Sequence, residues 1–322
     1  MSSITSDLTT RTAKSPRERL ARWFFFACAA ISIVVTIGIV VVLVLGALKF
    51  FRSTGVALGM APGDTVSLSS YLLEGKWTPG SEPQQFGLLA PLSATVMLML
   101  GSAIIALPLG LAAAIYLSEY ASDRMRSFLK PALEILAGVP TVVYGFFALV
   151  YITPLLDQLV PLGVGTFNMV SACIVVGIMI IPMVTSISED AMNAVPDSLR
   201  QAGYGLGATK FDVSTTVVVP SAISGIASSY ILALSRAIGE TMAVAIAAGS
   251  QSTVMNPLNP VAYFSPNSPI TAQMIQLATG DISAQGAAYH AMFALGLTLF
   301  VVTLAMNVVS ELISSRYREV YR

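Results

Sequence analysis

A run of thirty small and apolar residues, from Pro220 to Gly249, contains a single arginine and a single glutamate and constrains the fold most strongly. As one continuous helix it would be about 45 Å long, longer than the ~30 Å hydrocarbon core of a bilayer. Composition agrees with a membrane location, because 55% of the 322 residues are hydrophobic and 11% are charged. Soluble domains carry ~25% charged residues. The sequence therefore predicts a membrane-crossing helix that is tilted or projects into water at one end.

The two charged residues of this run, Arg236 and Glu240, lie four positions apart, which on a continuous helix places both on one face. Each charge near the centre of a spanning helix costs about 2.5–3.5 kcal/mol on insertion scales, so the pair needs a reason to be there. We expect a helix buried among others, with its charged side on a path for an anion. Small residues that would let another helix approach closely recur beside the pair at every fourth position: Ser221, Gly225, Ser229, Ala233, Ala237, Thr241, Ala245 and Gly249.

Hydrophobic runs predict an all-α membrane protein with six transmembrane helices in one domain, residues 23–313. A polar loop at 53–88 is too short for an independent core, and a second polar segment covers 189–213. Residues 1–22 are expected to form a disordered polar tail, and residues 314–322 a short basic end. The expected spans are about 23–51, 89–118, 131–152, 168–188, 220–249 and 286–313.

Basic residues are distributed unequally between the two sides of these spans. The tail, the 119–130 connection, the 189–213 segment and the C-terminal end together carry 13 lysines and arginines, whereas the opposite loops carry 3. The positive-inside rule then places both termini in the cytoplasm.

The polar segment VPDSLRQAGYGLGATKFDVSTTVVVP, residues 195–220, predicts a short helix over 196–202. Pro196 suits the first helical position, and Asp197 adds a negative charge that the helix dipole favours. Gly203, Gly205 and Gly207 are expected to end the helix. The phosphate-binding pattern GxxxxGK[ST] is absent from the sequence, so ATP that drives this protein must be bound by another polypeptide.

Other chemistry finds little support in the composition. Cys28 and Cys173 lie singly in apolar runs without metal-ligand spacing, and His290 has no second histidine or cysteine partner. No metal site is therefore expected. Formal net charge is zero and there is no basic domain, which argues against a nucleic-acid partner.

The 195–220 segment resembles the cytoplasmic "EAA" loop of permease subunits of bacterial ABC importers, written E-A-A-x3-G-x9-I-x-L-P. Here Gln201-Ala202-Gly203 is followed after three residues by Gly207, and after nine more by Val217-x-Val219-Pro220. Gln201 replaces the glutamate of the motif and Gly203 its second alanine. The resemblance implies that residues 196–209 form a coupling helix that docks on an ATPase subunit. The implied coupling residues are Pro196, Asp197, Arg200, Gln201, Ala202, Gly203 and Gly207.

Two further stretches, ALSRAIGETMAV (233–244) and KPALEILAGVPTVVYGFFAL (130–149), resemble the permease pair of bacterial phosphate-specific importers. The likeness covers about residues 86–313, and the long external loop favours the C-type (PstC) subunit over its A-type (PstA) paralogue. It implies a type I importer permease in the bacterial inner membrane, without its own enzymatic activity or cofactor. The implied partners are a paralogous permease, two ATPase subunits that bind ATP and magnesium, an extracytoplasmic phosphate-binding protein, inorganic phosphate and membrane lipid.

The chemistry of the charged pair suits an oxyanion. A guanidinium stays protonated and matches phosphate oxygens with a planar fork, which favours Arg236 as a path residue. Glu240 would hold that guanidinium when cargo is absent and would oppose overly tight anion binding. Ser235, Thr141 and Tyr144 complete the predicted path, with ordinary interhelical hydrogen bonding as their alternative. For the charged pair the alternative is a structural ion pair between helices.

Two other functions stay open at this point. The importer could carry another oxyanion, such as molybdate or sulfate. A self-contained secondary transporter or an intramembrane enzyme is the rival class, although no predicted span supplies the paired catalytic groups that an enzyme needs.

Overall fold

The computed structural model describes residues 16–57, 66–81, 83–160, 163–280 and 286–316. Within these ranges the regular structure is helical apart from one small hairpin, so the predicted all-α class is confirmed. In chain order the helices are α1 (Pro16–Ala57), α2 (Leu68–Leu73), α3 (Leu89–Ile115), α4 (Asp123–Gly138), α5 (Thr141–Phe147), α6 (Thr153–Leu159), α7 (Met169–Asn193), α8 (Asp197–Gly205), α9 (Lys210–Asp212), α10 (Val219–Ser221), α11 (Ile223–Ile238), α12 (Met242–Ala247), α13 (Ile270–Thr279) and α14 (Ala287–Arg316).

Short irregular turns connect several of these helices. A single 3₁₀ turn, Pro260–Phe264, lies in the connection between α12 and α13. The hairpin pairs β1 (Trp77–Thr78) with β2 (Gln85–Phe86) in antiparallel fashion. Wider π-helical turns follow α3, α5 and α9, at Tyr116–Tyr120, Ala148–Ile152 and Val213–Val218.

The described helices supply five stretches long and apolar enough to cross a membrane, and a bent pair that makes a sixth. That number agrees with the prediction. The bent pair joins Lys210–Ser221 to Ile223–Ile238 at an angle of 71°. The five single spans are Arg17–Phe51, Leu89–Tyr120, Thr141–Leu159, Met169–Asn193 and Ala287–Ile313.

The first helix begins earlier than its apolar run. α1 starts at Pro16, so residues 16–22 belong to the first helix and not to the predicted polar tail. Proline at the first helical position and Glu18 in the first turn both favour a helix start here. The rest of that tail, residues 1–15, falls outside the described ranges.

The predicted third span, residues 131–152, is wrong in its boundaries. α4 ends at Gly138, and the membrane-crossing stretch begins after a break, at Thr141. Pro140 causes the break, because proline disfavours the helical conformation in the residue before it. Val139 is accordingly extended, with φ −65° and ψ 131°. α4 is therefore a separate helix that precedes the span.

The predicted continuous helix from Pro220 to Gly249 is also wrong. It bends at Ala222 and is broken again between Ile238, which ends α11, and Met242, which begins α12. The glycine and β-branched threonine of the sequence Gly239-Glu240-Thr241 are weak helix formers, which favours the break. Arg236 and Glu240 therefore lie on opposite sides of a helix end instead of one turn apart on a single helix.

Small residues let the central helices pack closely. In α11 the predicted ridge is confirmed where it crosses α7: the Ser229 hydroxyl lies 2.8 Å from that of Ser188, and Ala233 and Ala237 are fully buried. Thr241, Ala245 and Gly249 lie beyond the break. Between α3 and α7, a Cβ atom added at Gly110 would lie only 2.6 Å from Val184. These contacts place the main apolar core between α3, α7, α11 and α12.

Replacing Gly110 with valine should lower the thermal unfolding midpoint of the purified protein, because the new side chain overlaps Val184. Overpacking of this kind costs about 1–3 kcal/mol. Thermal unfolding in detergent, followed by loss of the monodisperse peak in size-exclusion chromatography, measures the effect. Gly38→Val on α1 is the matched control, since a Cβ at Gly38 has nothing within 4 Å. Equal midpoints for the two variants would contradict the packing described here.

A second core lies at the end of the bundle that carries the hairpin. Phe50, Tyr71, Trp77 and Phe86 are buried there and form edge-to-face ring pairs. Trp77 donates a hydrogen bond through Nε1 to Gln273 on α13, at 2.9 Å. The described part of the 53–88 loop thus shares a core with the ends of the long helices, and Trp77 belongs to that core. The opposite end, which carries α4 and α8, is called the basic end below.

Candidate functional site

The predicted coupling helix is α8, and it is longer than expected. Pro196 precedes it in an extended conformation, and the helix continues through Gly203 to Gly205 instead of ending at residue 202. Gly203 permits close packing, because a Cβ atom there would lie 2.9 Å from Val213 Cγ2. The chain turns only at Gly207, whose φ of +84° is in the left-handed region that favours glycine.

An exposed, largely apolar surface lies at the end of α8 and just beyond it. Leu206 is 90% exposed, Phe211 67% and Tyr204 43%. Gln201 and Ala202 are exposed on the same segment. An exposed apolar patch rimmed by polar residues is typical of a protein-interaction site. We call these five residues the coupling surface.

Arg200 belongs to the same helix, but its side chain points toward the helix bundle and not toward solvent. The Arg200 side chain is 14% exposed, and its guanidinium lies 3.0 Å from the Glu119 carboxylate and 3.3 Å from that of Asp197. It also donates hydrogen bonds to the carbonyl oxygens of Met192, at 2.8 Å, and Val195, at 2.5 Å. Sequence reasoning grouped Arg200 with the residues that meet a partner, whereas the structure places its guanidinium between α8 and the ends of α3 and α7.

Arg236 lies in the last turn of α11, a favourable place for a cation because the carbonyl end of a helix carries partial negative charge. Its side chain is exposed, as is that of Leu232 one turn earlier, so this face of α11 is uncovered. Among the residues that the structure describes, Arg236 forms no ion pair. Its Cα lies roughly 20 Å along the helix from the bend at Ala222.

Glu240 occupies the break between α11 and α12 and is buried. Its carboxylate accepts a hydrogen bond from the backbone N–H of Ala243 at 3.2 Å, which satisfies a free donor in the first turn of α12. Its backbone carbonyl accepts from the Thr271 hydroxyl at 2.6 Å. The expected hold of Glu240 on the Arg236 guanidinium is absent from this conformation.

The remaining predicted path residues have different surroundings. Ser235 donates a hydrogen bond to Asn307 on α14 at 3.2 Å. Tyr144 is buried, and its hydroxyl donates to the carbonyl of Leu136 at 2.8 Å across the break before α5. Thr141 is half-buried at the start of α5. α5 in turn packs against α12, where a Cβ at Gly145 would lie 2.9 Å from Ile246.

Sequence reasoning missed a group of ion pairs at the basic end, built around the buried carboxylate of Glu189. Glu134 lies one turn after Lys130 on α4, but the Lys130 Nζ lies 3.4 Å from Glu189 and 3.7 Å from Asp190, both on α7. Arg126 also pairs with Glu189. The only sequence signal was the spacing of Arg126 and Lys130, which places both on one face of α4. Their acidic partners are about sixty positions away and could not be identified from spacing.

The sequence of residues 106–319 matches the protein family described as the inner membrane component of binding-protein-dependent transport systems. The probable ABC transporter permease protein YqgH of Bacillus subtilis is 31% identical, over 93% of this chain and 91% of its own length. The phosphate transport system permease protein PstC of Mesorhizobium japonicum is 33% identical, over 80% of this chain and 83% of its own length.

A solved structure shares the fold. The chain aligns with a bacterial ABC transporter involved in the import of the acidic polysaccharide alginate, with a TM-score of 0.61 and 14% identity, over 94% of this chain and 99% of the other. A likeness at this identity concerns the fold alone. It confirms the type I importer permease architecture.

Proposed function

Because the chain belongs to the family of inner membrane components of binding-protein-dependent transport systems, and is a transmembrane subunit of an ABC importer, we propose that its cargo is phosphate. Relatives named as phosphate transport system permeases, at about one-third identity over most of the chain, support this cargo. In this proposal the chain forms half of the translocation path, and a paralogous permease forms the other half.

The observation that carries the cargo assignment is Arg236. A guanidinium on an uncovered face of a spanning helix, without a described ion-pair partner, is too costly to leave against lipid. A water-filled path between two permeases would accommodate it, and a guanidinium there replaces part of the hydration that phosphate loses on entry. Glu240, Ser235, Thr141 and Tyr144 are proposed as neighbours of that path.

The coupling surface is the proposed contact with an ATPase subunit. Its exposed apolar residues at the basic end suit insertion into a groove on a partner. The basic end would then face the cytoplasm, with both termini on that side of the inner membrane, as the distribution of lysine and arginine indicates. ATP and magnesium would bind on two ATPase subunits, and a phosphate-binding protein would deliver cargo at the hairpin end.

Copurification followed by an ATPase assay tests this function. The chain, a paralogous permease and the ATPase subunits should purify together, and a phosphate-loaded binding protein should stimulate ATP hydrolysis. Stimulation by a molybdate- or sulfate-loaded binding protein instead would assign another oxyanion. Failure of the ATPase subunits to copurify would contradict the permease assignment to this complex.

A further inference from the structure

Two buried carboxylates at the basic end belong neither to the proposed path nor to the coupling surface. The Glu119 side chain is 4% exposed and that of Glu189 is 1% exposed. Burying an ionised carboxylate is strongly unfavourable unless it is paired and hydrogen-bonded. Each of them therefore depends on cations from another element, and those cations identify which elements are held together.

Glu119 ties the coupling helix to the end of α3. It lies in the π-helical turn Tyr116–Tyr120, and its Oε1 accepts hydrogen bonds from Arg200 Nη2 at 3.0 Å and Nε at 3.4 Å. Arg200 at the same time donates to the backbone carbonyls at the end of α7. One guanidinium thus joins α8, α3 and α7.

Glu189 ties α7 to α4. Its carboxylate is paired with Arg126 and lies 3.4 Å from Lys130 Nζ, and both cations project from α4. Of the described residues of α4, none is fully buried, although the partly buried Leu136 packs against the main core. The ion pairs with Glu189 are accordingly the main polar attachment of α4 to the bundle.

A short bridge connects the two carboxylates. The Ser118 hydroxyl has one proton to donate and lies within hydrogen-bond distance of two acceptors, Glu119 Oε1 at 3.0 Å and Asn193 Oδ1 at 3.2 Å, so it serves either carbonyl-type oxygen in turn. The Asn193 amide donates to Glu189 Oε1 at 3.4 Å. The resulting connection runs from Arg200 on α8 through Glu119, Ser118, Asn193 and Glu189 to Arg126 and Lys130 on α4.

We propose that this polar network transmits the movement of the coupling helix to α4, and that Arg200 and Glu119 are positioning residues for transport. The inference rests on the proposed function, since it assigns a role to α8 within the importer. α4 leads through the break at Val139 and Pro140 into α5, which carries Thr141 and Tyr144. A displacement of α8 would therefore be transmitted through the side chains of the network and α4 to α5, a helix of the proposed path.

The geometry explains why these residues and not the surface ones should matter. The π-helical turn that carries Glu119 is wider than an α-helical turn, and turns of this kind are among the usual places where a helix kinks. Arg200 holds that turn with two charge-assisted hydrogen bonds, which are stronger than neutral ones. Loss of the Glu119 charge would leave the coupling surface intact and would leave the Arg200 hydrogen bonds to the end of α7 in place, but it would loosen α8 from the end of α3.

The test is the number of phosphate ions imported per ATP hydrolysed, measured with the complete complex in proteoliposomes. Glu119→Gln keeps the size of the side chain and removes its charge. We expect the complex to assemble and to hydrolyse ATP at close to the wild-type rate, while phosphate imported per ATP falls about tenfold. Ser118→Ala, which removes only the bridging hydroxyl, should lower the same ratio by a smaller factor.

A double variant tests whether the residues act as one unit. Arg200→Gln alone should lower the ratio about as much as Glu119→Gln, and combining the two should lower it no further. The control is Glu134→Gln, the same chemical change at an exposed residue of α4 that forms no ion pair with a described residue. It should leave the ratio unchanged.

Three results would overturn the network. The first is an unchanged ratio of phosphate imported per ATP hydrolysed in Glu119→Gln, and the second is a parallel fall of ATP hydrolysis and phosphate uptake, which indicates a merely structural role. The third is a double variant in which the losses of the two single variants multiply. If Arg200→Gln fails to assemble, Glu119→Gln and Ser118→Ala decide the question by the same criteria. Failure of the proposed function itself is distinguishable, because the wild-type complex would then show no ATP-driven phosphate uptake.

Discussion

Phosphate uptake should fall about 100-fold when Arg236 is replaced with alanine, while the complex still assembles. Removing one charged partner from a desolvated contact costs about 2–5 kcal/mol, and each 1.4 kcal/mol corresponds to a factor of ten. The structure allows this substitution to be mild for folding, because the guanidinium forms no described ion pair and lies on an uncovered face of α11. Uptake of labelled phosphate into proteoliposomes measures the effect.

Two companion variants sharpen that experiment. Arg236→Lys keeps the positive charge but loses the planar fork, so uptake should fall to a level between wild type and alanine. Arg124→Ala removes an exposed arginine from α4, outside the spans, and should leave uptake unchanged. Normal uptake by Arg236→Ala would remove this residue from the transport mechanism and with it the main support for an anion path along α11.

Replacing Leu206 with aspartate should abolish copurification of the ATPase subunits. Leu206 is 90% exposed, more than Phe211 or Tyr204 of the same coupling surface, and follows the end of α8. Central apolar residues of an interface each contribute about 2–4 kcal/mol, and a carboxylate in the same place would also have to lose its hydration. The loss corresponds to an affinity at least ~30-fold weaker.

An exposed leucine away from the coupling surface provides the control for this variant. Leu258 is 81% exposed in the connection between α12 and α13, so Leu258→Asp is the same substitution at a similarly exposed residue. It should copurify with the ATPase subunits as wild type does. Full retention of the ATPase subunits by Leu206→Asp would show that docking occurs elsewhere.

The sequence predicted the membrane class and the spans well because long apolar runs leave few alternatives. Met169–Asn193 and Leu89–Tyr120 lie close to their predicted positions for this reason. The breaks were less predictable. Pro140 is a local signal for the first break, but the apolar residues around it made one continuous span look plausible. The break at Gly239–Thr241 has no proline, and the hydrogen bond from Ala243 to Glu240 that stabilises it could not be identified from the sequence.

The EAA-like motif shows how structure explains a departure from a sequence pattern. Gly203 stands where the motif has alanine, and a Cβ there would come within 2.9 Å of Val213 Cγ2, so α8 packs more closely here than an alanine would allow. The motif glycine, Gly207, is where the chain adopts a positive φ. Gln201, which replaces the glutamate of the motif, is exposed and belongs to the coupling surface. Leu206 and Phe211 belong to the same surface but are not specified by the motif.

The polar network at the basic end could not be predicted from sequence. Arg200 and Glu119 are separated by 81 positions, and Arg126 and Glu189 by 63. Nearer residues of opposite charge compete within a short window, as Glu134 does for Lys130 at the i, i+4 spacing. Only the packing of α4 and α8 against α7 decides which charges meet.

Phosphate transport by the reconstituted complex tests the central claim most directly. Proteoliposomes containing this chain, its paralogous permease and the ATPase subunits should accumulate phosphate only when ATP and the phosphate-binding protein are both present. The same vesicles containing this chain alone should accumulate none, with or without an ion gradient. Gradient-driven phosphate uptake by the chain alone would contradict the account, because it would identify a self-contained secondary transporter.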